Sequence, residues 1–109
     1  MPGRVSLYRW DALDLHKVTE MIARKAIVGG AETLAQAYFK KGALVPVHSH
    51  EGEQLIYVLQ GALRLVVDGE EVTVREGEVV RVPAGARHQA EALDDTFVLD
   101  VKSRQKEPQ

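Results

Sequence analysis

The chain has 109 residues, a mass of 12.1 kDa, 45% hydrophobic and 28% charged residues; this is one domain's worth of sequence, and too apolar for a disordered segment. Fourteen Lys and Arg against sixteen Asp and Glu give a net charge of -2, which leaves no basic footprint for nucleic acid. Cysteine is absent, so disulfides, thiolate nucleophiles and cysteine-held zinc or iron–sulfur sites are excluded.

The segment through Trp10 reads as an N-terminal extension that adds an edge strand. Its first five residues, Met-Pro-Gly-Arg-Val, lack the apolar core of a secretion signal. No apolar run reaches the roughly 18 residues that span a bilayer. A cytoplasmic protein with no membrane partner is the expectation. Apolar residues at 13, 15, 18, 21, 22 and 26 fit a helix in the first half of 13–26, while Ile27, Val28 and Gly29-Gly30 favour a strand at its end. From residue 21 onward the texture is all-β. Strands are predicted over 21–28, 33–40, 44–50, 54–60, 63–67, 71–75, 79–82, 88–92 and 96–101, separated by glycine-bearing breaks. Asp68-Gly69 marks a two-residue hairpin, because a tight turn needs positive φ and glycine adopts it at little cost. The division expected is residues 1–20 as extension, 21–101 as a β-barrel and 102–109 as a polar tail.

Gly42-Ala-Leu-Val-Pro-Val-His48 and Gly77-Glu-Val-Val-Arg-Val-Pro83 repeat one pattern 35 residues apart: Gly, two residues, Val, one residue, Val. Each is a turn glycine feeding an apolar strand, which suggests two similar halves facing one another.

The chemistry sits next to this echo. His48 and His50 fall two apart at the end of a predicted strand, so a period of two puts both imidazoles on one face, close enough for one cation. Glu51-Gly52 permits a turn, and the strand opening at Gln54 can return beside the first, bringing a side-chain oxygen to the same point. His88 follows the Pro83-Ala-Gly85 turn and can supply a fourth ligand from the facing sheet. Alone, a His-x-His is ordinarily two surface histidines; the joint spacing around turn glycines sets this one apart. Glu53 points away from Gln54, Tyr57 packs outside the lumen, Ile56 and Val58 line it, and His16 is a surface residue.

Gly42-x5-His48-x-His50-x3-Gln54-x6-Gly61 resembles the first motif of the cupin superfamily, and Gly77-x5-Pro83-x-Gly85-x2-His88 its second. The pattern departs from the family at Gln54, where Glu is usual, and at Ala92, where Asn is usual. The resemblance implies a double-stranded β-helix, the cupin jelly-roll barrel, with one divalent transition metal near its mouth held by His48, His50, Gln54 and His88. Neutral imidazoles and an amide oxygen suit Mn, Fe, Ni, Zn or Cu, and leave more of the metal's charge uncompensated than a Glu ligand would.

The run from His48 to Gly61 is also similar to small single-domain cupins of the KdgF type, which ketonise unsaturated uronates by opening the sugar ring and use three His and a Gln. Their last strand carries Asp, then Phe and Ser, then Arg; here Asp100 and Ser103 match, while Lys102 and Lys106 replace Phe and Arg. The resemblance implies a metal-dependent enzyme on a small oxygen-rich substrate such as a uronate or sugar acid. Asp100, at the end of an apolar strand, serves there as general base, or else is a surface aspartate paired with Lys102. Lys102, Arg104 and Lys106 attract an acidic substrate or solvate the tail. The alternatives are a metal-dependent dioxygenase and a non-catalytic module that binds a sugar or small ligand. A homodimer is expected, since exposed barrel edges and an apolar outer face commonly take a partner.

Overall fold

Alternation of apolar and polar residues along short segments is resolved into two antiparallel sheets packed face to face, seen in a computed structural model that describes residues 3–104. The strands are β1 (His16–Thr19), β2 (Ile22–Val28), β3 (Glu32–Phe39), β4 (Leu44–His48), β5 (Gln54–Gln60), β6 (Ala62–Val67), β7 (Glu70–Arg75), β8 (Val79–Val82), β9 (His88–Ala92) and β10 (Thr96–Ser103). One sheet has six strands in the order β1-β2-β3-β10-β5-β8; the other has four, β4-β9-β6-β7. This is the cupin jelly-roll barrel. Among the described residues no helix is long and apolar enough to cross a membrane.

β5 shows how sequence sets the faces. Gln54, Ile56 and Val58 are buried, while Leu55 and Tyr57 look outward, as a two-residue period requires. Val58, Leu63, Leu65 and Val82 are the largest fully buried side chains and fill the space between the sheets. The β6–β7 connection is the predicted hairpin: Asp68 and Gly69 both have positive φ, 48° and 84°, the backbone of a turn whose twist matches its strands. The two halves of the sequence echo become β4 and β8, each an edge strand, one in each sheet. Pro46 is tolerated inside β4 because an edge strand leaves one side of its backbone without ladder partners, and the pairing with β9 shifts register there.

Four expectations are corrected. No strand forms through Trp10; Trp10–Ala12 is a 3-10 turn, and the edge strand is β1. The first half of 13–26 is not helical, because β1 and β2 form a hairpin around Glu20-Met21 and β2 pairs with β3 along its whole length; that ladder overrides a weak helical pattern. The strand drawn over 44–50 stops at His48, where β4 meets His88 of β9. The last strand does not end at 101: Lys102 pairs with Thr33 and Gln54, and the Ser103 amide donates to the Glu53 carbonyl at 2.8 Å. The polar tail as drawn thus loses its first two residues to the sheet, and 105–109, Lys106 included, lie outside the described residues.

Candidate metal centre

Both sheets contribute to one end of the barrel, and their division of labour differs from the expected one. β5 does not return beside β4; it crosses to the six-stranded sheet between β10 and β8. His88 does not face His48 from across the barrel but sits directly opposite it on the neighbouring strand. The facing sheet supplies Gln54 instead, with Asp100 and Lys102 of β10 beside it.

His50 lies past the end of β4, in a bend whose position is fixed from two sides. The Gly85 amide donates to the His50 carbonyl at 2.9 Å, tying this bend to the turn ahead of His88. Gly52 packs so tightly against the Ser103 backbone that a Cβ would collide with it. Glycine is needed there for close approach, and the approach is what lets residues 50 and 54 aim at one point. Glu53 points outward as expected and pairs with Arg81 at 2.8 Å.

One ring nitrogen from each of His48, His50 and His88 lies within 4.8 Å of the other two. The rings are oriented by backbone. Each Nδ1 is 2.9 Å from a carbonyl oxygen two residues away in sequence: Pro46 for His48, Gly52 for His50 and Ala86 for His88. A carbonyl only accepts, so Nδ1 carries the proton and donates it, and Nε2 of the neutral ring keeps its lone pair for a cation.

The Gln54 amide closes the set. Its Nε2 donates to Asp100 Oδ1 at 2.9 Å, which turns Oε1 toward His50 Nε2, 3.1 Å away. With Nδ1 protonated, that contact sets two lone pairs against each other, and either a second proton on His50 or a cation shared by the two atoms relieves it. Convergent neutral donors with protons held on the far side are what a transition metal of the imidazole- and amide-binding kind requires. These residues could hold such an ion. The departure from Glu at position 54 also acquires a physical reason: a carboxylate there would oppose the Asp100 carboxylate, whereas the amide supplies the proton Asp100 accepts.

His88 is 4% exposed and Gln54 8%, whereas His48 is open to solvent. Burial pushes His88 below the ordinary histidine value; the charges of His48, His50 and Lys102 act in the same sense, and the hydrogen bond to Ala86 opposes them. A neutral His88 means that, below the ordinary value of about 6.5, the unfolded chain binds a proton that the folded one refuses. Stability present above that pH is therefore lost as pH falls. The metal-free protein is expected to melt at a lower temperature at pH 5.5 than at pH 7.5, and His88→Gln to flatten that slope; melting curves that rise toward acid would contradict it.

Asp100 is half-buried on the inner face of β10, bonded to Gln54, and makes no ion pair with Lys102 among the described residues. The pairing offered as its alternative role is not what the structure has. Lys102 is the residue whose place the sequence reading missed. The signal was parity: Thr96 and Val98 are buried, so Asp100 and Lys102 follow them on the inner face once the strand extends two residues further. His16 is exposed, as expected.

The profile of the family described as Cupin domain matches residues 36–101. The solved structure of KdgF from Halomonas sp. superposes with a TM-score of 0.85 at 28% identity, covering 95% of this chain and 97% of that one. An RmlC-like cupin from Shewanella frigidimarina gives 0.85 at 22% identity over 98% and 97% of the two chains, a likeness of fold. An oxalate-binding protein of Thermotoga maritima is 26% identical over 96 residues, covering 87% of this chain and 78% of the relative.

Proposed function

The chain belongs to the cupin family, and from that premise we propose that it is a metal-dependent enzyme that isomerises a small uronate or sugar acid by ketonisation. The observation that carries the reading is the line of short polar contacts from His50 Nε2 to Gln54 Oε1 and, by the hydrogen bond that Gln54 Nε2 donates, on to Asp100, which sets a carboxylate beside the donors of one candidate metal site. The likeness to KdgF over nearly the full length supports the same choice.

His48, His50, Gln54 and His88 would hold one divalent transition metal, of the Mn, Fe, Ni, Zn or Cu class. When bound, that ion supplies Lewis acidity to a substrate oxygen. Gln54 fixes the side of the cluster nearest β10. Asp100 Oδ1 is engaged by Gln54, which leaves Oδ2 to take the proton of a substrate hydroxyl. In an unsaturated cyclic uronate, loss of the anomeric hydroxyl proton to Asp100 lets the ring C–O bond break, giving an aldehyde and an enolate. Return of the same proton to the enolate carbon gives the ketone. Atoms and charge balance with no oxidant. Ile56 and Val58, on the Gln54 side of β5, make the apolar floor beneath the site.

Incubation of metal-loaded protein with a 4,5-unsaturated uronate tests this: proton NMR is expected to show the vinyl signal disappearing faster than in buffer, with no oxygen uptake. A vinyl signal that decays at the buffer rate would overturn it. A second reading, a module that binds a small acid without turnover, is favoured by the resemblance to an oxalate-binding protein; tight oxalate binding with no reaction of the uronate would select it.

A homodimer is the assembly that suits the six-stranded sheet. Its outer face exposes Leu55, Tyr57, Val79 and Tyr38, with Tyr38 stacked on Phe97 at 4.6 Å, a continuous apolar surface of the kind that pairs across a two-fold axis. Light scattering is expected to give twice the chain mass, and a monomer mass would exclude the pairing.

A further inference from the structure

Lys102 is the cation that the ladder places beside Gln54 and Asp100. Five ion pairs join the described charged side chains, and all of them lie on outer or N-terminal surfaces: Arg9–Asp11, Lys17–Glu20, Arg64 with Glu71 and Glu91, and Arg81–Glu53. Arg104, two residues on, is tied to the Gly29 carbonyl. Lys102 shares the inner face with Thr96, Val98 and Asp100, stands opposite Gln54 in the ladder and is half-buried. Among the described residues it has neither a carboxylate nor a side-chain hydrogen-bond partner. Gln54, which it faces in the ladder, is the residue whose amide bonds to Asp100 and approaches His50, so Lys102 stands on the same side of the barrel interior as the candidate metal donors.

A partly desolvated ammonium without an anion is unfavourable, and a flexible four-carbon stem lets it move to meet one. A dication in the histidine cluster would add two further positive charges that Asp100 alone does not balance. The mouth then lacks negative charge, on the side of the barrel where Asp100 and the Gln54 amide already stand.

We infer that Lys102 receives the carboxylate of the substrate and makes this site selective for acids over the corresponding neutral sugars. The inference rests on the metal-dependent reading above and deepens it: the substrate lies with its reacting hydroxyl toward Asp100 and its carboxylate on Lys102 Nζ.

The test uses the full chain loaded with Mn(II), with D-galacturonate and its uncharged methyl ester as probes, binding being read by calorimetry. Mn(II) stoichiometry and melting temperature are measured first for wild type, Lys102→Met and Lys102→Arg, and are expected to match. Wild type is expected to bind the acid about tenfold or more tighter than the ester, the size of one charge-assisted contact. Lys102→Met should lose that preference while its ester affinity stays the same, and Lys102→Arg should keep most of it. Equal affinity of wild type for acid and ester, no measurable binding of the acid, or an equal loss for both probes in Lys102→Met would overturn the assignment while leaving the metal reading intact. Failure of Mn(II) and the other divalent metals to bind wild type would remove the metal reading and this inference together.

Discussion

Replacement of His50 by alanine is expected to lower divalent-metal affinity by more than about 100-fold while leaving the barrel folded. The lower bound comes from residues that only orient ligands, whose loss already costs about 10–100-fold; His50 would be a ligand itself. Two features make it the most telling of the three imidazoles. Its Nε2 is the atom next to Gln54 Oε1, so its removal takes away the imidazole donor that stands beside the amide oxygen. Its backbone carbonyl, which accepts from Gly85, is untouched, so the link between the bend after β4 and the turn before His88 survives. The ring is only half-buried, and the melting temperature of the metal-free variant should stay near that of wild type. Metal titration with Zn(II), Ni(II) and Mn(II), read beside thermal melts, separates the two effects. Metal retained at wild-type affinity would remove His50 from the ligand set; a variant that fails to fold would show instead that the ring is structural.

Asp100→Asn is expected to lower kcat for uronate ketonisation by about 10²–10⁴, the usual worth of a positioned proton carrier, while metal content is unchanged. Asparagine keeps a carbonyl oxygen that can accept from Gln54 Nε2, so the amide of Gln54 still presents its oxygen to His50. What is lost is the basic oxygen. Asp100→Ala differs in kind. It leaves the Gln54 amine, in a residue only 8% exposed, without its acceptor, which costs about 1–3 kcal/mol. It also frees the amide to rotate, and metal affinity should fall by about 10–100-fold. The pair of variants therefore separates proton transfer from amide orientation. Activity lost together with metal in both would make Asp100 a positioning residue only; activity retained in Asp100→Asn would exclude it as the base.

How much of this was readable from the residues follows their physical range. Strands set by two-residue alternation and glycine turns, such as β5 and the Asp68-Gly69 hairpin, were legible nearly to the residue, because their signals are local. The spacing of His48, His50 and His88 pointed to the group of three imidazoles that the structure brings together. Ends of elements were not legible. Residues 102 and 103 look like a polar tail, yet both are strand, since β3 and β5 flank them and take up their backbone groups. The apolar positions in 13–26 suggest a helix until β3 is there to pair with β2.

From the chain alone came an all-β barrel and the expectation that four residues would meet around a cation with an acid on the last strand, because each rests on short-range periodicity and on turn chemistry carried by the residues themselves. Only the folded arrangement decided that His48 and His88 are neighbours in one sheet while Gln54, Asp100 and Lys102 face them from the other. It also decided which way the Gln54 amide points and that Lys102 stands opposite Gln54 on the inner face of the last strand. Sheet order and hydrogen-bond direction depend on contacts between segments distant in sequence, and no local pattern encodes them.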